Sequence, residues 1–126
     1  MFVINFEGFV AGMIINDQYS NISVTISADN AHPSHPDIAM IFDSANSTED
    51  DPDVGTSNED FGGPGIGLDG GSGSAGPNMY ALGNILIISE DGDQSNPDDE
   101  NDGGAIAFTS DEPVRVDRVG GADQQA

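Results

Sequence analysis

Carboxylates spaced by small residues are the groups in this chain with an evident chemistry. Asp91-Gly92-Asp93 sets two carboxylates two residues apart, with Gly92 permitting a tight turn. Asp98-Asp99 follows Pro97, and Asp51-Pro52-Asp53 repeats the alternation earlier in the chain. Asp43 and Glu90 stand at the ends of two apolar runs. Calcium takes about 6–8 oxygen ligands at roughly 2.3–2.6 Å, and loops of Asp, Asn, Ser and Gly supply them with little steric conflict. Oxygen donors without cysteine favour Ca²⁺ over zinc. The candidate ligands are therefore Asp43, Asp51, Asp53, Glu90, Asp91, Asp93, Asp98 and Asp99, and the expected cofactor is Ca²⁺.

Neither acidic loop is an EF-hand. Counted from Asp91, the glycine position holds Asn96 and the bidentate glutamate position holds Asp102. Gly62-Gly63-Pro64-Gly65-Ile66-Gly67 approaches the glycine-rich calcium nonapeptide, but Gly67 stands where Asp is required and the string occurs once. A site would have to be assembled from both loops. The alternative is that the acid is simply solvated, which is the expectation for Glu59, Asp60 and Asp102.

Other chemistries have less support. His32 and His35 in His32-Pro33-Ser34-His35-Pro36 form a conceivable metal pair, against the plainer reading of ordinary loop positions. Paired carboxylates also serve glycosidases, but such a pair needs one carboxyl in an apolar pocket. No nucleophile motif for a Ser-His-Asp arrangement is present. The Gly-rich stretch 62–76 lacks the Gly-Lys-Ser/Thr of a phosphate loop. The chain is expected not to be an enzyme. Sugar-binding faces usually offer flat aromatic platforms. There is no Trp, and of the two tyrosines Tyr80 is the candidate ligand contact, while Tyr19 is expected to pack at a strand end.

The charge balance sets the partner classes. Of 23 acidic residues, 14 fall within residues 43–60 and 90–102, and the formal net charge is −21. The basic residues are Arg115 and Arg118 alone. Nucleic acid needs Lys and Arg on its phosphates, so it is excluded as a partner. Attraction to anionic membranes fails for the same reason. No apolar run reaches the roughly 20 residues of a membrane span, so no membrane insertion is expected. Residues 1–30 lack the basic start and cleavage site of a signal peptide. With no cysteine there is no disulfide framework. A chain of 126 residues fits one domain with a modest core.

The elements that must position these groups read as strands. Residues 2–6 and 13–15 are short apolar pieces. Residues 21–28 alternate strictly, with Ile22, Val24 and Ile26 on one face and Ser23, Thr25 and Ser27 on the other, the period of a half-buried strand. Residues 38–42 are apolar on both faces, as in a sheet packed on both sides. Residues 85–88, 105–108 and 114–119 complete the set. If the strands of residues 38–42 and 85–88 run the same way, Asp43 and Glu90 meet at one end of the sheet. Residues 43–83 form one long acidic and Gly-rich connection, and residues 120–126 read as a disordered tail. Phe2, Phe6, Phe9, Phe42 and Phe108 are the expected aromatic core. No amphipathic helix is evident. The fold class is all-β, an antiparallel β-sandwich of jelly-roll type over residues 1–126.

Ile41-Phe42-Asp43-Ser44-Ala45-Asn46-Ser47-Thr48 with Asp51-Pro52-Asp53-Val54-Gly55-Thr56 is not a generic string. Nor is Leu82-Gly83-Asn84-Ile85-Leu86-Ile87-Ile88-Ser89-Glu90-Asp91-Gly92-Asp93, with Pro97-Asp98-Asp99 and Gly103-Gly104 after it. With Asn5-Phe6-Glu7 and Asp17-Gln18-Tyr19, they resemble an uncharacterised domain of bacterial secreted and surface-sorted proteins. That domain is similar to the β-sandwiches of calcium-containing carbohydrate-binding modules. The resemblance spans about residues 3–123. It implies an extracellular or cell-surface location, a larger parent protein whose other domains are partners, and polysaccharide as a ligand. Two departures stand out. Glu49-Asp50 replaces a Gly-Gly pair and makes the first loop more acidic. The family also continues past the segment matching residues 114–123, which implies a C-terminally truncated domain here. The expected function is a secreted, non-catalytic, calcium-binding β-sandwich module that binds polysaccharide or mediates adhesion. The alternatives are a purely structural extracellular domain with solvated loops, and a carboxylate-dependent glycan-active enzyme.

Overall fold

The computed structural model describes residues 2–51, 54–57 and 81–120. Two antiparallel pairs of strands organise them. Strand β1 (Val24–Asn30) pairs with β4 (Gly104–Ser110), and β2 (Ala39–Asp43) pairs with β3 (Asn84–Ile88). A single 3₁₀ turn (Ser20–Ile22) precedes β1. The all-β class therefore holds for the described residues.

The period-2 pattern decides what β1 buries. Ile26 and Asn30 are buried while Thr25, Ser27 and Asp29 face solvent. The strand begins two residues past Ile22, because Ser20–Ile22 coil into the 3₁₀ turn and Ser23 takes a left-handed φ of 62°. Strand β2 lacks alternation because both of its faces are covered. On one face Ala39 and Ile41 meet Ile15 and Ile26, which joins the two sheets; on the other, Met40 and Phe42 meet Val54 and Ile87. Phe6, Phe9 and Tyr19 close the first cluster through edge-to-face ring contacts.

Residues 12–15 run beside β2 on the edge away from β3. Gly12 N–H donates to Ile41 O at 2.8 Å, Ile41 N–H to Met13 O at 2.9 Å and Ile15 N–H to Ala39 O at 2.9 Å. This confirms the short apolar piece at residues 13–15 as a sheet partner, reduced to one formal bridge between Ile14 and Met40.

Several sequence expectations are corrected. Residues 2–6 form no strand; Phe6 has φ 63° and Phe2 is 75 % exposed, so Phe2 is not core. Residues 114–119 form no strand and pair with no described residue, and Val114, Val116 and Val119 are all exposed. Phe108 is 55 % exposed although it shares a face with Ile26. The expectations for residues 58–80, including Tyr80, and for Asp53 and the segment 121–126 lie outside the described residues.

Candidate metal centre

The register of β2 and β3 decides which carboxylates can meet. Asp43 lies opposite Asn84 and Ala39 opposite Ile88, so the strands run in opposite directions. Asp43 and Glu90 are therefore at opposite ends of the pair, separated by roughly 20 Å at about 3.4 Å per residue. The shared site expected for these two strand-end carboxylates does not form. Asp43 instead caps its own turn, accepting from Ala45 N–H at 3.0 Å and from Asn46 Nδ2 at 2.7 Å.

The two acidic loops nevertheless meet, because the first one doubles back. Its neck is at the Asp43 end of the sheet, where Thr56 N–H donates to Ser44 O at 2.9 Å and the two hydroxyls are 2.6 Å apart. Between these positions the chain returns along the sheet to the second loop. Thr48 Oγ1 donates to Pro97 O at 3.0 Å, Asn96 Nδ2 donates to Asp50 Oδ2 at 2.6 Å, and Asp99 N–H donates to Asp51 Oδ2. A bridge between Ser89 and Asp99 fixes the second loop to the end of β3.

This contact gathers Asp51, Asp98 and Asp99. One ligand atom from each lies within 4.8 Å of the others. Asp51 is 6 % exposed; Asp98 and Asp99 are half-buried. Burial pushes the Asp51 carboxyl up from 3.8 to about 8, helped by side-chain hydrogen bonds with Asp99 and Asp98 and opposed by the Asp99 N–H. Burial also raises Asp98, with repulsion from Asp50, Asp91 and Asp99 adding to it and its bond to Asp51 opposing it. Three carboxyls this close cannot all ionise without a compensating charge. A bound cation supplies one; a retained proton is the other solution.

Among the described candidates, Asp91, Asp93 and Glu90 are not members of this group of three. Asp91 accepts from Asp93 N–H at 2.9 Å, and Asp93 from Ser95 N–H at 2.9 Å and Ser95 Oγ at 2.6 Å. These exposed carboxylates shape their own turn, and the Ser95 bonds hold Asp93 below its ordinary range. The Glu90 backbone N–H donates to Asp98 O at 2.9 Å.

A second polar centre involves the His32/His35 pair, with Glu100 and Asn30 as partners that the sequence reading had not singled out. Glu100 is buried and accepts from Asn30 Nδ2 at 3.1 Å, and its Oε2 lies 2.5 Å from His35 Nδ1. Asn30 is also buried; its Oδ1 accepts from His32 N–H at 2.8 Å, and its own N–H donates to Asp37 Oδ1 at 2.7 Å. The hydrogen bond from His35 holds Glu100 at about 2, and the same bond raises His35. His32 and His35 stack with ring centroids 3.6 Å apart. The two histidines thus tie residues 31–37 to the second acidic loop. One signal was available: extending the β1 alternation through Ala28 puts Asn30 on the buried face, where an amide needs partners.

At the opposite end of β2 and β3, Ser44, Ala45, Ser47, Gly55, Thr56, Ser57 and Ala81 line a cavity of about 260 Å³. Its side chains offer hydroxyls and no charge. Among the described residues no helix is long and apolar enough to cross a membrane. No family profile, curated protein or solved structure matches the chain.

Proposed function

We propose that this protein is a non-catalytic extracellular β-sandwich module in which Asp51, Asp98 and Asp99 bind a calcium ion that staples its two acidic loops. The observation that carries this reading is the convergence of carboxylates from loops far apart in sequence on one point. The donor set is all oxygen, which suits a hard cation. A cation there neutralises the repulsion that otherwise opposes closure of the loops, so calcium acts on the fold itself. The same ion would stiffen a surface for a cation-bridged polysaccharide, the ligand class implied by the resemblance to secreted bacterial domains.

The test is a pair of thermal melts. Calcium should raise the midpoint well beyond the effect of NaCl at equal ionic strength, and a chelator should reverse it. Equal shifts with the two salts would leave only general screening and favour a purely structural domain with solvated loops. The turn-capping roles of Asp43, Asp91 and Asp93 support that alternative for the rest of the acid. Polysaccharide pull-downs with and without calcium then separate a binding module from a structural one. The raised Asp51 beside Asp99 also resembles a catalytic acid and base; glycan hydrolysis lost in a folded Asp51→Asn variant would favour that reading.

A further inference from the structure

Among the described residues the outer edge of β4 is open. Strand β1 is covered on its far side, where Ile26 N–H donates to Asn16 O at 2.8 Å and Val24 N–H to Tyr19 O at 3.1 Å. Strand β4 has β1 on one side, and no described residue pairs with it on the other. Ile106, Phe108 and Ser110 share the face of Ala28, Ile26 and Val24 that turns toward the core. Ile106 packs on that core, while Phe108 overhangs it and stays 55 % exposed. An open edge beside an uncovered aromatic is a template for one more strand.

The chain carries a segment that fits this edge. In Val114-Arg115-Val116-Asp117-Arg118-Val119, Val114 and Val116 fall on one face of an extended strand. They are 65 % and 69 % exposed, and no described residue takes the segment's backbone hydrogen bonds. It also contains both basic residues of a chain with 23 acidic ones. Around β4 lie Asp29, opposite Ala105, and the flanking Asp102, Asp111 and Glu112. The Arg115–Asp117 pair at 2.8 Å joins side chains 90 % and 54 % exposed, and an ion pair of that kind is readily given up.

We infer that residues 114–119 of one copy add as a strand to the free edge of β4 in a second copy, laying Val114 and Val116 against Phe108. An antiparallel register with Val114 opposite Phe108 sets Val116 opposite Ile106 and Arg118 opposite Gly104, next to the loop of Asp102. Folding back within one copy is disfavoured by the exit of the chain. The Asp111 N–H donates to Ser23 O at 3.1 Å, continuing the β1 ladder, and Ser110 Oγ donates to Glu112 O at 2.7 Å. These bonds hold Ser110 and Asp111 in line with β1, so the chain does not turn back at the positions that a Val114–Phe108 pairing within one copy would need. Donor and acceptor are different surfaces, so the contact is head-to-tail and need not close at a dimer.

The experiment is sedimentation of the full chain from roughly 10 μM to roughly 1 mM, a range suited to a weak contact. Ionic strength is held near 0.15 M, where repulsion between the acidic bodies decays over about 8 Å. The average mass should climb with concentration beyond that of a dimer. Val114→Asp/Val116→Asp, which spoils the donor, and Phe108→Asp, which spoils the acceptor, should each stay monomeric while keeping the far-UV spectrum of the native fold. Mixed together, they should form one-to-one pairs, because each retains the half that the other lacks. A wild-type chain that stays monomeric throughout overturns the inference. So does self-association of the donor variant, which would mean that two β4 edges pair directly, or a mixture that stays monomeric.

Discussion

Replacing Asp51 by Asn separates charge from shape at the loop junction. The amide oxygen of Asn can still accept the Asp99 N–H, while the ionisable carboxyl is gone. In the native chain Asp51 is raised from 3.8 to about 8, chiefly by burial. The folded state therefore keeps a proton that the unfolded chain releases above about pH 4. For a group raised in this way, stability is greatest at low pH, declines between about pH 4 and pH 8, and levels off above. Every tenfold difference in proton affinity between the folded and unfolded chains corresponds to about 1.36 kcal/mol. Water at the loop surface and the hydrogen bonds of Asp51 to Asp98 and Asp99 take up part of that cost, leaving about 1–3 kcal/mol, the range for a poorly satisfied buried polar group. Without calcium, Asp51→Asn should thus exceed wild type by about 1–3 kcal/mol near pH 8.5 and match it near pH 4.5. Calcium should close that gap or reverse the order. A site with Kd of about 10⁻⁴ M gives about 2.7 kcal/mol at roughly 10 mM calcium. For a domain of this size that is a rise on the order of 10 °C in wild type. The variant should rise no more than with matched NaCl. Melts followed by circular dichroism at both pH values, with calcium and with NaCl, read all of this. A variant less stable than wild type near pH 8.5 without calcium would refute the charge argument. Equal calcium shifts in both proteins would remove the cluster as the site.

Two further outcomes test the frame around the site. Glu100, lowered from 4.5 to about 2, supports the fold above about pH 4.5 and loses this as pH falls through about 2; His35, raised above 6.5, supports it below that value and loses this as pH rises through its folded value. His35→Ala should therefore lower the urea midpoint most between about pH 4.5 and 6.5, and an equal deficit near pH 9 would argue against the ion pair. Phe42→Ala empties the face of β2 shared with Val54 and Ile87, and should cost about 3–5 kcal/mol in chemical denaturation. A loss below about 1 kcal/mol would show that the returning first loop does not seal that face.

Much of the fold was legible because strand formation leaves a local imprint. Alternation marked β1, and continuous apolar runs marked β2 and β3, since side chains on one face of a strand repeat every second residue and a strand buried on both faces cannot alternate. The same logic failed for residues 2–6 and 114–119. Apolar residues in sequence mark what can enter a sheet, whereas a strand exists only where a neighbour takes its backbone hydrogen bonds. For residues 114–119 no such neighbour is present within one copy among the described residues.

The site divides in the same way. Its chemistry is written in residue types alone: hard oxygen donors, no thiol, and carboxylates concentrated in two loops. Asp51, Asp98 and Asp99 were among the candidates, but the strand-end Asp43 and Glu90 and the alternating Asp91/Asp93 and Asp51/Asp53 pairs were the more strongly marked, and Asp98 and Asp99 were not among those. Which of them meet was settled in three dimensions. The antiparallel register of β2 and β3 sent Asp43 and Glu90 to opposite ends, and the return of the first loop from its Ser44–Thr56 neck brought Asp51 to Asp98 and Asp99. Residue type is encoded position by position. Proximity between loops depends on strand direction and loop path, which are set by packing among residues distant in the chain.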